Sequence, residues 1–189
     1  MNSEPTTHLL SRDEIKVGLR SSFSHLLNHI ELMSDSTFET PLAKGKWSPG
    51  QHLGHLILST LPLVKALQIP PEKLQKKYGL LDRDEMTEAD MENTYVKVLS
   101  TGMVKAPLQF TIEAVTGDQR TELDQQFRTV LEDVLKAMDR RSDEELQKTC
   151  VPHPAIGLIS LRELLVFTKV HTIHHAYGIE KGLKTLSSN

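Results

Sequence analysis

Two histidines near the carboxyl end of the chain have the spacing of metal ligands on a helix. His171 and His175 are four residues apart, so a helix places their imidazoles one turn above the other on one face. Neutral imidazole binds zinc, nickel, iron(II) and copper. Apolar residues around them recur at intervals of three and four, which puts both histidines on the inward stripe. Since a buried imidazole must be hydrogen-bonded or coordinated, the pair predicts either a metal site or two satisfied core histidines.

A metal site inside a bundle needs a third ligand from another helix, and two histidines qualify. His52 and His55 lie on an earlier predicted helix, whose apolar stripe leaves His55 well to one side and His52 only slightly better placed. Periodicity therefore does not choose between them, and by this test alone His55 would face solvent or a cavity. His174 points about 100° away from His175. We interpret His174 as a boundary residue rather than a ligand.

Four amphipathic segments must position these side chains. Apolar residues at spacings of three and four predict helices after Ser11, after Ser48, over residues 119–139, and from Ser160 to about Lys181 with Gly182 as a C-cap. Little strand patterning is visible along the chain. The sequence thus predicts an all-α fold, a four-helix bundle.

The segment between the second and third long helices is less regular. We interpret residues 70–118 as a long crossover with short helices at 72–78 and 88–99. A connection of this length is compatible with second and third helices that run parallel or lie far apart. Residues 1–9 are predicted to be a loose tail. The whole chain, 1–189, is interpreted as a single domain.

Composition limits the classes of partner. The net charge is −3 with mixed signs, so no basic surface for nucleic acid is indicated. The polar N-terminus lacks a signal pattern, and no apolar run approaches the roughly 18 residues of a membrane span. The one cysteine, Cys150, excludes an internal disulfide and is interpreted as a small buried filler. These features predict a cytoplasmic protein that binds neither nucleic acid nor membrane.

Two stretches resemble motifs of a known family. In residues 46–57 a tryptophan and a hydroxyl precede a helix that carries a histidine, which resembles the second-helix motif of the DinB-like (YfiT-like) superfamily. Residues 153–163, followed by 167–175, resemble the final motif of that family: a His-Pro turn, a glycine, a helix start and then His-x-x-His-His. Their order and separation also fit. The resemblance covers most of the chain except roughly 70–118.

The resemblance implies a four-helix bundle that holds a divalent metal ion (zinc, nickel or iron(II)) on three histidines. The matching positions are His55, His171 and His175, which selects His55 rather than His52 as the third ligand. It also implies a homodimer formed through the helices.

One position departs from the family pattern. Where the family often has a glutamine, one turn after the last histidine, this chain has Gly178. The role of that side chain is therefore absent here or is met by Tyr177 or Glu180.

Three histidines leave metal positions open, which distinguishes a catalytic site from a closed structural one. A metal there could lower the pKa of a bound water for hydrolysis, or hold a substrate thiolate. The resemblance implies both chemistries: hydrolysis of small molecules, or thiol S-transfer with a low-molecular-weight thiol as partner. The alternative hypothesis is a non-catalytic, stress-related or binding four-helix bundle in which the metal is structural or absent.

Other residues capable of chemistry have plainer interpretations. Trp47 is expected to pack at the start of its helix, and His153, between two prolines, to bond the loop backbone. Glu163 has the position of a capping-box acid. His25 and His29 also have the four-residue spacing, but they lie beside the apolar stripe and are expected on a solvated face.

Overall fold

The computed structural model describes residues 5–102 and 106–186, and in those ranges four long helices form a bundle. The predicted all-α four-helix fold is confirmed. The long helices are α1 (Arg12–Glu31), α3 (Pro49–Gln68), α6 (Arg120–Asp139) and α8 (Leu161–Leu186). The shorter ones are α2 (Asp35–Glu39), α4 (Pro71–Tyr78), α5 (Glu88–Ser100) and α7 (Asp143–Lys148).

Serine capping boxes lie at the starts of the first two long helices, where the sequence predicted helices to begin. The Ser48 hydroxyl accepts a hydrogen bond from the Gln51 N–H at 3.2 Å, and the Gln51 side chain accepts one from the Ser48 N–H at 3.0 Å. Pro49 occupies the first helical position, where a missing N–H leaves no bond unmade. Ser11 and Glu14 form the same box at the start of α1.

Helices α1 and α8 are neighbours that run parallel. Gly18 lies against Lys169, and two turns later His25 lies against Glu180, so the residue numbers rise together along both helices. Gly18 allows the close approach, because a Cβ there would lie 2.8 Å from the Lys169 side chain. The face of α8 that carries Lys169 and Glu180 is therefore packed against α1.

Helices α3 and α6 also run parallel. Gly50, at the start of α3, lies against Val115 just before α6, and Arg141, just after α6, donates a hydrogen bond to the Leu67 carbonyl at 2.8 Å near the end of α3. The long crossover carries the chain back from one end of the bundle to the other. The parallel arrangement is one of the two that the length of this segment allowed.

The crossover contains the two predicted short helices and two 3-10 turns. Helices α4 and α5 are followed by turns at Leu108–Phe110 and Gly117–Gln119, while residues 103–105 lie outside the described ranges. Helix α5 packs against α8, and the first turn packs against α3. The crossover therefore covers two of the helices that carry histidines.

The N-terminal segment contacts the start of α5. The Ala89 N–H donates to the Thr6 carbonyl at 3.1 Å, and the Thr6 hydroxyl lies 3.4 Å from the Glu88 carboxylate. Residues 1–4 of the predicted loose tail lie outside the described ranges.

A short hairpin precedes α8, where the sequence indicated a loop around His153. Strands β1 (Cys150–His153) and β2 (Gly157–Ser160) pair antiparallel, and Gly157 turns the chain with a φ of +89°. Each strand has four residues, and Pro152 has no N–H to donate. Strands this short show no alternation that a sequence reading could detect.

Helix α8 continues beyond its predicted end. Gly182 lies inside the helix rather than at a C-cap, and the helix runs on to Leu186. A Cβ at Gly182 would lie 2.7 Å from the Cβ of Leu42, so the glycine permits close packing of α8 against the loop after α2. The glycine therefore marks a packing contact and not a helix terminus.

In the described part of the chain, no single helix has the length and hydropathy of a membrane span. Helices α3 and α4 meet that test only as a pair bent by 107°.

Candidate metal centre

Helix α8 brings His171 and His175 together on its inner face. Both side chains are buried, each with 7 % of its surface exposed, and their Nε2 atoms are 3.0 Å apart. The four-residue spacing produces this pairing because it returns to the same face after one turn. The inward placement predicted from the apolar stripe is confirmed.

Helix α3 supplies the third imidazole from the opposite side. The Nε2 atom of His55 lies 3.2 Å from that of His171, and His55 is 5 % exposed. Its Nδ1 lies 2.7 Å from the carbonyl oxygen of Phe110 and donates to it. This bond places the proton on Nδ1 and leaves the Nε2 lone pair aimed at the other two histidines.

The helical stripe gave a wrong expectation for the exposure of His55. The side of α3 that carries His55 is covered by the crossover, whose residues Phe110 and Ile112 contact His55 and Gly54. Gly54 permits this contact, because a Cβ there would lie 2.6 Å from the Ile112 side chain. A stripe calculated for one helix cannot include a face that is buried by an irregular segment.

The three nitrogens have the spacing of ligands that share one ion. One ring nitrogen from each of the three histidines lies within 4.8 Å of the other two. With metal–nitrogen bonds of about 2.0–2.1 Å, two ligand nitrogens lie roughly 2.9 Å apart at a right angle and about 3.3 Å apart at the tetrahedral angle. The observed 3.0 and 3.2 Å fall in that interval. Facing lone pairs at this distance repel one another unless a cation or a shared proton lies between them.

Burial keeps these histidines neutral. Desolvation lowers the pKa of His55, and it lowers the pKa of His171 and His175 well below the ordinary value of 6.5. The neighbouring imidazoles lower the pKa of His171 and His175 further, since two positive charges cannot be accommodated so close together. A neutral imidazole is the form that binds a metal. The donor set therefore fits a divalent ion that accepts nitrogen ligands.

A second layer of rings surrounds the cluster on the α3 side. The Nδ1 atoms of His52 and His175 are 2.7 Å apart, so one of them donates to the other. Burial lowers the pKa of His52 to about 4. The Trp47 ring lies 4.9 Å from that of His55 and stacks at 6.2 Å on that of His175. Trp47 thus covers two of the predicted ligands in addition to packing at the helix start.

Two aromatic rings pack against the cluster on the α8 side, and the sequence analysis did not predict them. The Phe167 ring stacks at 5.1 Å on His171, one turn along the helix, and Tyr95 of α5 meets His171 edge-on at 5.8 Å. Burial raises the pKa of Tyr95 to about 12, so its phenol stays protonated. His174 is exposed, and its ring lies 5.4 Å from that of Tyr95, as expected of a boundary residue.

Two other candidates lie away from the cluster. Glu163 accepts hydrogen bonds from Ser160 and Met86 N–H groups and pairs with Arg83, which confirms its capping-box position. It precedes His171 by eight residues, about 12 Å along the helix axis. Cys150 is buried, and burial raises the pKa of its thiol to about 11. A thiol in that state is a poor nucleophile.

Gly178 stands where the family often has a glutamine, and it places no side chain beside the cluster. Gly178 is exposed, and a Cβ there would approach no closer than 3.9 Å to His52. Glu180 does not replace the glutamine, because its carboxylate pairs with His25 on α1, on another face of α8. Tyr177 is exposed, at 57 %. His52, the side chain next to Gly178, is half-buried.

A family model matches most of the chain. The model described as the DinB superfamily matches residues 19–179, which include all three clustered histidines. The chain belongs to the DinB superfamily. The family resemblance of the two histidine motifs is thereby confirmed, and no curated protein matches the chain in sequence.

Two solved structures share the fold of this DinB protein. YfiT from Bacillus subtilis, described as a probable metal-dependent hydrolase with an unusual four-helix bundle topology, superimposes with a TM-score of 0.63 at 16 % identity, over 98 % of this chain and 94 % of YfiT. TT2238, a four-helix bundle protein, superimposes with a TM-score of 0.50 at 15 % identity, over 90 % of this chain and 99 % of TT2238. At these identities the likeness shows the fold alone.

Proposed function

We propose that this protein is a metal-dependent hydrolase of small molecules, with His55, His171 and His175 as the ligands of one divalent ion. The observation that carries the proposal is the convergence of three neutral imidazole nitrogens from α3 and α8 at separations of 3.0 and 3.2 Å. The description of YfiT as a probable metal-dependent hydrolase supports the choice of chemistry. Zinc, nickel and iron(II) all suit the donor set.

The protein's own contribution is to orient the ligands and to shape their surroundings. A divalent ion held by three ligands would supply an open position and lower the pKa of a bound water toward neutrality. The Phe110 carbonyl holds His55 in one orientation and tautomer through its 2.7 Å hydrogen bond. A His175 that offers its Nε2 lone pair carries its proton on Nδ1 and donates it to His52.

Aromatic rings cover the clustered histidines and limit the access of water to them. Phe167 and Tyr95 cover His171, and Trp47 lies against His55 and His175. The side next to Gly178 and the half-exposed His52 is the route that we propose for substrate. A dry, walled site strengthens electrostatic interactions with a developing charge. An uncharged or weakly charged small molecule with an apolar part suits these walls.

The decisive experiment compares metal content and hydrolysis in wild type and matched variants. Protein without a polyhistidine tag is stripped by chelation, reloaded with Zn²⁺, Ni²⁺ or Fe²⁺, and assayed against panels of small esters and amides. The expected result is metal-dependent hydrolysis that disappears, together with one metal equivalent, in His171→Ala. His174→Ala is the matched control, because that exposed neighbour is outside the cluster and should retain both properties.

The other outcomes separate the competing functions. Thiol conjugation without hydrolysis, measured with a low-molecular-weight thiol and an electrophilic substrate, would favour the S-transferase hypothesis. A wild type that binds metal but catalyses neither reaction would favour a binding protein with a structural metal. Hydrolysis that survives unchanged in His171→Ala would refute the proposed centre.

A further inference from the structure

We propose that His25, His29 and Glu180 form a second divalent-metal site, which links α1 to α8 on the outside of the bundle. The site would take zinc or a similar transition-metal ion. It uses none of the residues of the central cluster and does not depend on the function proposed for that cluster.

The three side chains converge from two helices. The Nε2 atoms of His25 and His29 lie 2.9 and 2.8 Å from the same oxygen, Oε1 of Glu180. The two histidines are four residues apart on α1, so their rings occupy adjacent turns, with centroids 4.8 Å apart and planes nearly perpendicular. One ligand atom from each residue fits within a group 4.8 Å across. The solvated-face interpretation of the two histidines overlooked Glu180, which is remote in sequence.

The donor set is that of a transition-metal ion. Two imidazoles and one carboxylate form the 2-His-1-carboxylate triad that binds divalent iron, and zinc accepts the same groups. For bonds of about 2.0–2.2 Å, ligand atoms that share one ion lie roughly 3 Å apart, which matches both histidine–carboxylate separations. In the metal-free form the His25 imidazole donates an N–H to the Glu180 carboxylate, and the Nε2 atom of His29 lies close to the same oxygen. To bind a metal ion through Nε2, each neutral imidazole would carry its proton on Nδ1 and offer the Nε2 lone pair.

The exposure of the three side chains suits an ion that also binds water. The side chains of His25, His29 and Glu180 are 37 %, 31 % and 23 % exposed. An ion can therefore enter from solvent and complete its coordination with water, whereas the central cluster is almost fully buried. This difference predicts faster metal exchange at the outer site.

Helix α8 separates the two sites. Glu180 is rotated by about 140° from His175 and by about 180° from His171 around the helix axis. The central ligands face α3, while Glu180 faces α1. A single ion therefore cannot serve both groups, and full occupation requires two metal equivalents per chain.

An ion at the outer site would link the parallel helices α1 and α8 near one end of the bundle. Any ligand that binds the folded form alone stabilises it in proportion to the logarithm of its concentration. Because the two histidines belong to α1 and the carboxylate to α8, unfolding separates the ligands. Metal binding there should raise Tm by roughly 5–10 °C at a hundredfold excess over Kd.

The test counts Zn²⁺ bound per chain by equilibrium dialysis and elemental mass spectrometry. We expect two equivalents for wild type and one for the double variant His25→Ala/His29→Ala. Glu180→Gln should bind the outer ion more weakly by at least about tenfold, since an amide is a poorer ligand than a carboxylate. His171→Ala should lose the other equivalent.

A matched control removes an ordinary interhelical ion pair. Arg20 and Glu132 join α1 to α6 at 2.7 Å without a histidine. Glu132→Gln should leave both the metal count and the Zn²⁺-dependent rise in Tm unchanged. The proposal is overturned if wild type and the His25/His29 double variant bind the same number of ions. That comparison holds even if His171→Ala fails to fold, and it is independent of any hydrolysis assay.

Discussion

At the scale of single residues, the central cluster depends on how each imidazole is held. His55 donates from Nδ1 to the Phe110 carbonyl, and His175 contacts His52 through Nδ1, so both direct Nε2 inward. A hydrogen-bond partner on the second ring nitrogen fixes the orientation of a ligating imidazole and contributes strongly to metal affinity. His171 and His175 could be predicted from spacing, because one helix sets both positions. His55 could not, because its burial depends on a segment more than fifty residues further along the chain.

The ligand assignment predicts different losses for two histidines on α3. His55→Ala should abolish binding at the central site, since it removes one of three ligands. His52→Ala should retain the ion with roughly 10–100-fold lower affinity, because it removes only the partner of His175. Competition against a chelator measures both affinities, with His25 and His29 replaced so that only the central site contributes.

The opposite order of effects would show that the ligand is His52. Equal losses of metal affinity in the two variants would contradict the assignment of either histidine as the one ligand from α3. Because a buried alanine can also destabilise the fold, circular dichroism and Tm of each metal-free variant serve as the control.

At the scale of elements, local sequence patterns predicted the long helices, whereas the end of α8 and the hairpin before it were not predicted. Capping residues and apolar periodicity are encoded within a few residues, and they predicted α1, α3, α6 and the start of α8. The end of α8 was wrong by several residues because Gly182 serves a contact with Leu42 and not a cap. The hairpin before α8 was missed because its strands are too short to show a period.

Two glycines should respond with opposite signs to alanine. Gly117 lies where the crossover meets α2: a Cβ there would be 2.4 Å from the Cβ of Asp35 and 3.0 Å from its Cα and carbonyl oxygen. Backbone atoms cannot move aside as a flexible side chain can, so Gly117→Ala should lower the free energy of unfolding by about 1–3 kcal/mol. Urea unfolding of wild type and variant measures the change.

Gly178→Ala is the matched comparison. This glycine is exposed within α8, and its added Cβ meets only His52, at 3.9 Å. The substitution should raise the free energy of unfolding by about 0.5–1 kcal/mol, because alanine loses less backbone entropy in a helix. A destabilised Gly178→Ala together with a neutral Gly117→Ala would contradict the packing described for both elements.

At the scale of the whole molecule, an apolar bundle encloses a group of uncharged histidines. The family match over residues 19–179 accounts for the fold of most of the chain, and the extension of one domain over 1–189 stays a prediction. The homodimer, the thiol partner and the cytoplasmic location also stay predictions. Single-chain patterns carry information about which side chains are buried, but little about what binds to the finished surface.

Enclosing neutral histidines makes the stability of the whole fold sensitive to acid. His153 lies in the hairpin, packs at 4.3 Å on Phe167, and accepts a hydrogen bond from the Ala155 N–H at 3.3 Å through Nδ1. Burial lowers its pKa from 6.5 to about 4. Between those values the unfolded chain binds a proton that the folded chain does not. The contribution of neutral His153 to the free energy of unfolding is therefore fully present above pH 6.5 and is lost as the pH falls toward 4.

His153→Gln should remove this pH dependence while the fold remains. The advantage of wild type over the variant in free energy of unfolding should shrink by roughly 2–3 kcal/mol between pH 7 and pH 4, because the variant has no imidazole to protonate. Urea unfolding at several pH values, with a chelator present, isolates the effect from metal binding. Ile156→Val, in the same hairpin and without a titrating group, should show a difference from wild type that does not change with pH. A pH-independent difference for His153→Gln as well would mean that protonation of His153 is not coupled to unfolding.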